Sequence, residues 1–212
     1  MNLLSLSTRF VAAAAVATAL STSASAQIEL TTNGDFETGD LTGWTQFETG
    51  PGQQSVTTSN PSAGTYAGNI NNDVALSNSL WKQANIGIGQ VAIGDKVTIS
   101  FDARGSYAVP GGVAFAEFFQ ELSGGGTSGG GILGGAPLAI SGDPEEWTTF
   151  TFDWTITGDV SGGVTLQLGA TNGPAGGTNM FYDNVSVTVP EPASMALVGL
   201  GGLAMLARRR KA

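Results

Sequence analysis

A period of two, and no other period, runs through the middle of this chain. In "KVTISFDA", Val97, Ile99 and Phe101 share one face and Thr98, Ser100 and Asp102 the other. In "WTTFTFDWTI", Phe150, Phe152, Trp154 and Ile156 oppose Thr149, Thr151, Asp153 and Thr155. In "GVTLQLGA", Val164, Leu166 and Leu168 oppose Thr165 and Gln167; in "FYDNVSVTV", Val185, Val187 and Val189 oppose Ser186 and Thr188. Such alternation marks strands with one face buried. Clusters of Gly, Asn, Asp and Pro separate the runs, and no helical stripe lies between them. Antiparallel strands without helical crossovers pack face to face, so the expected class is all-β. Further strands are expected around 44–48, 54–58, 80–86 and 113–121, while "SGGGTSGGGILGG" reads as a loop or the approach to a strand. The resulting eight or more strands suit a single antiparallel β-sandwich of jelly-roll type over residues 27–189.

Two missing residue types narrow the chemistry. The chain has no Cys and no His. Zinc sites draw their ligands mainly from those residues, and a Ser or Cys nucleophile normally takes His as its base. Between 27 and 189 only Lys82, Lys96 and Arg104 stand against sixteen acidic residues. A surface that acidic repels a phosphate backbone, so nucleic acid is not an expected partner, whereas hard cations are compatible with it.

The two ends read as addresses. Arg9, the apolar run 10–20 and Ala24-Ser25-Ala26 before Gln27 form the three parts of a secretory signal peptide, residues 1–26. At the other end the apolar stretch 193–207 spans about 22 Å as a helix, short of the roughly 30 Å hydrocarbon core. Basic side chains behind it reach toward the interface and keep that end cytoplasmic. A transient or permanent membrane hold by this segment is therefore expected, with the body outside.

The tail, residues 190–212, resembles the PEP-CTERM sorting signal. The residues that carry the likeness are Val189-Pro190-Glu191-Pro192, the apolar run 195–206 and Arg208-Arg209-Arg210-Lys211. The resemblance implies recognition by an exosortase, a membrane transpeptidase-like enzyme, and removal near Pro-Glu-Pro as the protein is sorted to the envelope or extracellular matrix. A permanent tail anchor is the alternative.

The body resembles the jelly-roll carbohydrate-binding and galactose-binding-like modules. It opens with "LTTNGDFETGDLTGWT", continues through "EEWTTFTFDWTI" and closes with "GTNMFYDNVSVTV". That resemblance implies a structural calcium held by Glu37 and Asp183, with main-chain carbonyls near Asp35, Thr38 and Gly39 completing the shell. Asp183 has the parity of Phe181, Val185 and Val187. If that parity faces inward, the carboxylate needs a partner. A β-bulge that turns it outward, or backbone N–H donors, would serve instead of calcium.

Sugar rings stack on aromatic faces while polar groups bond their hydroxyls. Trp44, Tyr66, Trp81, Tyr107, Phe115 and Phe119 are the aromatic candidates, with Glu117 on the parity of Phe115 and Phe119 as a polar anchor. Trp81, beside Lys82, is the leading single contact, and Trp154 is expected in the core. Catalysis would need paired acids facing one cleft. Glu145 and Glu146 would point to opposite faces if they lay in a strand, and Glu117 and Glu121 would lie about 13 Å apart along a straight one. The G-x-G-x-x-G match at 124–129 lacks a βαβ frame, and the G-x-S-x-G match at 126–130 lacks a His. The expectation is an exported, non-catalytic envelope or matrix protein that binds polysaccharide. The alternatives are a structural or adhesive component without a sugar site, ice binding through a Thr-rich face (Thr149, Thr151, Thr155), and a secreted glycosidase.

Overall fold

The computed structural model describes residues 26–50, 53–107 and 110–191. Residues 1–25 of the expected signal peptide, the apolar run, Pro192 and Arg208, Arg209 and Arg210 lie outside the described residues. The described elements are β1 (Gln27–Glu29), β2 (Thr45–Phe47), β3 (Gln54–Thr57), β4 (Ala67–Asn72), β5 (Asn78–Ile86), β6 (Lys96–Ser106), β7 (Val113–Glu121), β8 (Thr127–Ile132), β9 (Thr148–Thr155), β10 (Val164–Thr171) and β11 (Thr178–Pro190). A short 3-10 turn covers Leu133–Gly135.

The strands form two antiparallel sheets. Sheet I has the order β3-β4-β11-β6-β9, with β1 also paired to β11; sheet II has the order β2-β5-β10-β7-β8. From β4 to β7, and again from β8 to β11, every connection crosses from one sheet to the other. This wiring makes most hydrogen-bonded neighbours within a sheet distant in sequence. Consecutive strands such as β4 and β5, or β10 and β11, meet across the sandwich, and the apolar faces close as one core.

The alternation survives in the folded chain. On β9, Phe150, Phe152 and Trp154 are half-buried while Thr149, Thr151, Asp153 and Thr155 are exposed. Trp154 packs at the core's edge, 5.8 Å from Phe118 between ring centroids. The core centre is aromatic: Trp81 lies 5.6 Å from Phe36, 5.9 Å from Trp44 and 6.1 Å from Tyr182. Tyr182 on sheet I donates its hydroxyl to the Gly169 carbonyl on sheet II at 2.9 Å. Its complete burial raises the pKa, so the phenol stays a donor.

β11 changes face midway. Met180 and Tyr182 point inward before a bulge, and Val185, Val187 and Val189 point inward after it. Asn184, at φ 50°, makes the turn, as the left-handed region admits Asn readily. Phe181 and Asp183 therefore lie on the outer side of sheet I, because the bulge breaks the parity they share in sequence with Val185 and Val187. The Gly-rich run combines a loop and a strand. Residues 122–126 close a tight hairpin, with Leu122 N–H donating to Gly126 O at 2.9 Å, 127–132 form the edge strand β8, and Leu133–Gly135 is the 3-10 turn.

Candidate ligand-binding face

The outer face of sheet II brings polar and aromatic side chains together. Lys82 on β5, Gln167 on β10 and Glu117 on β7 stand side by side in register, with Thr45 of β2 and Ile132 of β8 at the ends of the row. Gln167 Nε2 donates to Glu117 Oε2 at 2.8 Å. Lys82 Nζ lies 4.8 Å from the centroid of Phe47, and has no carboxylate partner among the described residues. The next row is Phe47, Leu80, Gly169 and Phe115. Phe47 is 45% exposed and Ile132 41%.

Two glycines set how the rings lie. A Cβ on Gly169 would run into the Phe115 ring, with Cε1 at 2.7 Å; Gly130 on β8 is covered by Phe119 in the same way. Each phenylalanine thus leans across a neighbouring strand where no side chain obstructs it, a cross-strand pairing that protects the glycine backbone and spreads the ring over the sheet. Beyond Lys82 the face runs into an open depression of about 420 Å³, lined by Ala84, Asn85, Ile88, Glu121 and Ser161 among others.

Of the sugar-contact candidates, Phe115, Phe119 and Glu117 sit together on this face. Trp81 is 0% exposed at the core centre, so the leading single contact is a packing residue with no path to an external ligand. Trp44 is likewise buried, its indole N–H donating to Asn33 O at 3.1 Å. Tyr66 is half-buried against Gly39, away from sheet II. Tyr107, 37% exposed, follows β6 beside a separate depression of about 200 Å³ with Ile140 and Ser141. Phe47, Leu80, Lys82 and Gln167 were not singled out from the sequence. The signal was there: once Trp81 is taken as inward, period two turns Leu80 and Lys82 out.

The two carboxylates expected at a calcium lie on the other side of the sandwich. The loop 59–66 covers the outer face of sheet I. Asp183 Oδ2 accepts the N–H groups of Ser62 at 2.8 Å and Ala63 at 3.1 Å, and Asn184 N–H reaches Oδ1. Glu37 Oε1 accepts the N–H groups of Thr65 and Tyr66 at 2.7 and 2.8 Å. Gly64 lies between, at φ 60°, and a Cβ there would overlap the Glu37 carboxylate. Asp183 is thus 1% exposed although on an outer face. Burial, with neighbouring Asp102, raises its pKa against three N–H bonds that lower it. Burial acts the same way on Asp102, but hydrogen bonds from Ser62, Thr149 and Asn184 outweigh it and hold that carboxyl low. Among the described residues no three His, Cys, Asp or Glu side chains cluster as metal ligands, so a calcium here would draw its remaining oxygens from the main chain.

Arg104 fastens the same loop. Its guanidinium is buried between Phe181 (3.8 Å) and Trp147 (5.2 Å) and donates to Ser59 O, Pro144 O and Glu145. Of the four acids weighed for catalysis, three are occupied, Glu145 by Arg104, Glu146 by Ser141 Oγ at 2.6 Å and Glu117 by Gln167, while Glu121 lines the depression beyond Lys82. Thr149, Thr151 and Thr155 share the outer face of sheet I, but Thr149 bonds Asp102 and the Lys96–Asp153 pair (2.7 Å) interrupts the row.

Residues 188–211 match the PEP-CTERM protein-sorting motif. No curated protein matches the chain. Among solved structures, the fold is similar to TmCBM61 in complex with beta-1,4-galactotriose, at 16% identity and a TM-score of 0.52, over 76% of this chain and 97% of that one. It is similar to the CBM22-1 xylan-binding domain from Paenibacillus barcinonensis Xyn10C at 14% identity and a TM-score of 0.52, over 78% and 95% of the two chains. It is also similar to a cyclase from Fischerella sp. TAU at 14% identity and a TM-score of 0.55, over 79% and 100%. At these identities the likeness is one of fold, and the fold serves binding modules and enzymes alike. The chain carries a PEP-CTERM sorting motif behind a two-sheet antiparallel sandwich that resembles the carbohydrate-binding modules.

Proposed function

We propose that this protein is an exported, non-catalytic component of the cell envelope or extracellular matrix that binds polysaccharide along the outer face of sheet II. In this reading the signal peptide is removed after Ala26, and the tail directs sorting through an exosortase, the membrane holding it until processing. The observation behind the binding site is the convergence of Phe47, Phe115 and Phe119 with Lys82, Gln167 and Glu117 on one open face of a sandwich similar to glycan-binding modules. Aromatic rings supply apolar area for sugar faces, and the polar row supplies donors and acceptors for hydroxyls.

A panel of bacterial and plant polysaccharides tests this. Saturable binding is expected, weakened about tenfold in Phe115→Ala, as for the loss of about 1.4 kcal/mol. Binding by the wild type that Phe115→Ala and Glu117→Ala leave unchanged would place the site elsewhere. A folded protein that binds no glycan would leave the structural or adhesive role, with delivery by the tail as its main activity.

Structural calcium belongs to the same proposal, with Glu37 and Asp183 as its carboxylates. What supports it is that both close on one loop, 62–66. Calcium is expected to raise the melting temperature of the wild type by a few degrees and that of Glu37→Gln much less. No rise in the wild type would mean that backbone N–H groups alone satisfy the two carboxylates.

A further inference from the structure

The sorting motif begins inside the folded sheet. The matched segment starts at Thr188, yet β11 continues to Pro190. The pairing of β11 with β4 covers residues 178–182, and its pairing with β6 ends at Thr188 opposite Thr98. Beyond that point the registers leave β1 alone beside the strand: Gln27 faces Pro190, Ile28 faces Val189 and Glu29 faces Thr188. Glu191 N–H then donates to Ala26 O at 2.8 Å. The expected cut after Ala26 and the first two residues of the Pro-Glu-Pro motif, Pro190 and Glu191, are therefore direct neighbours across one ladder.

The contact is fastened from one side. Glu29 Oε1 accepts the N–H of Val187 at 3.1 Å and Oε2 accepts the Ser186 hydroxyl, while Leu30 N–H donates to Val187 O at 2.8 Å. Val189 is fully buried in the core and is followed at once by the motif, so no spacer separates the folded body from Pro190. A processing enzyme takes its substrate as an extended segment whose main-chain groups pair with the enzyme's own cleft, and a segment already paired is not available in that form. Meanwhile β1 is three residues long, lies at an edge and has two of its three residues exposed, which are the marks of an element that opens locally at low cost.

We propose that β1 is a latch on the sorting motif: its pairing with residues 188–191 shields Pro190 and Glu191, and the tail is released at a rate set by the peeling of β1. This rests on the reading of the tail as a processed signal. Folding of the body would then slow release, and the open state is reached whenever β1 leaves β11.

The test uses the full chain in a bacterium that carries an exosortase, with tail removal followed by pulse–chase. Ile28→Pro, which cannot keep a strand's main-chain pairing, is expected to speed removal several-fold. A double variant, Glu29→Cys with Thr188→Cys, places the only two cysteines of the chain on facing strand positions. It is expected to stall removal when oxidised and to restore it with reductant. Hydrogen exchange of the Glu191 amide on purified full chain is expected to rise about tenfold in Ile28→Pro, with the body's amides unchanged as the check that it remains folded. Equal removal rates for wild type, Ile28→Pro and the oxidised double variant would overturn the latch alone. A wild-type tail that is never removed would overturn the processing reading and the latch with it.

Discussion

Trp81 separates what a residue type suggests from what its position does. An indole beside a lysine suggests a stacking platform, but this one sits among Phe36, Trp44 and Tyr182 with its N–H buried and without a hydrogen-bond partner among the described residues. Truncation to Ala removes the middle of the core and is expected to cost about 3–5 kcal/mol of stability, read by denaturant unfolding. Trp81→Phe keeps much of the ring and removes the unsatisfied N–H, whose desolvation itself costs on the order of 1–3 kcal/mol. It is expected to cost far less than Trp81→Ala, and to leave glycan affinity unchanged once folded protein is compared. A Trp81→Phe protein that folds normally yet loses binding would show that the indole reaches the ligand after all. Parity along β5 grouped Trp81 with Ser79 and Gln83 and set Leu80 and Lys82 against them; it did not say which group faced in. Only packing against the other sheet decides that, and packing is not local in sequence.

At the scale of the element, legibility followed how strongly one face was apolar. β9 and the second half of β11 alternate cleanly and were readable from sequence. β8, three of whose six residues are glycine, offers no side-chain pattern; it is a strand because β7 pairs with it. β1 is likewise defined by β11, some 160 residues away. The bulge at Asn184 inverts the parity on either side of it, so Phe181 and Asp183 share a sequence parity with Val185 and Val187 but not a face. Glycine on β10 carries a prediction of its own. Gly169→Ala puts a methyl group where the Phe115 ring lies, so the ring must lift from the sheet. Glycan binding is expected to fall several-fold while the melting temperature drops by only a few degrees, since the residue is already extended and the collision is with a side chain at the surface. A Gly169→Ala protein with full affinity would separate the flat seat of Phe115 from ligand binding.

Across the whole molecule, charge argues for the kind of glycan. Between 27 and 189 three basic residues stand against sixteen acidic ones. Two of the three are already engaged, Lys96 with Asp153 and Arg104 with Glu145, which leaves Lys82 as the cation on the proposed binding face among the described residues. A single lysine acts over a few ångströms, whereas the excess of carboxylates sets the field that an approaching polymer meets over a Debye length of about 10 Å at 0.1 M salt. A neutral polysaccharide does not feel that field, and its hydroxyls can still use Lys82, Gln167 and Glu117. An anionic one is repelled before it arrives, most strongly at low ionic strength. Affinity for a neutral glycan is therefore expected to change by less than about twofold from low salt to roughly 0.5 M, while any binding of an anionic glycan strengthens as salt is added. Titration of one neutral and one uronate-bearing polysaccharide across that range decides it. Tight binding of the uronate polymer at low salt, lost on adding salt, would mean that Lys82 dominates the face despite the charge around it, and the preference for neutral glycans would fall.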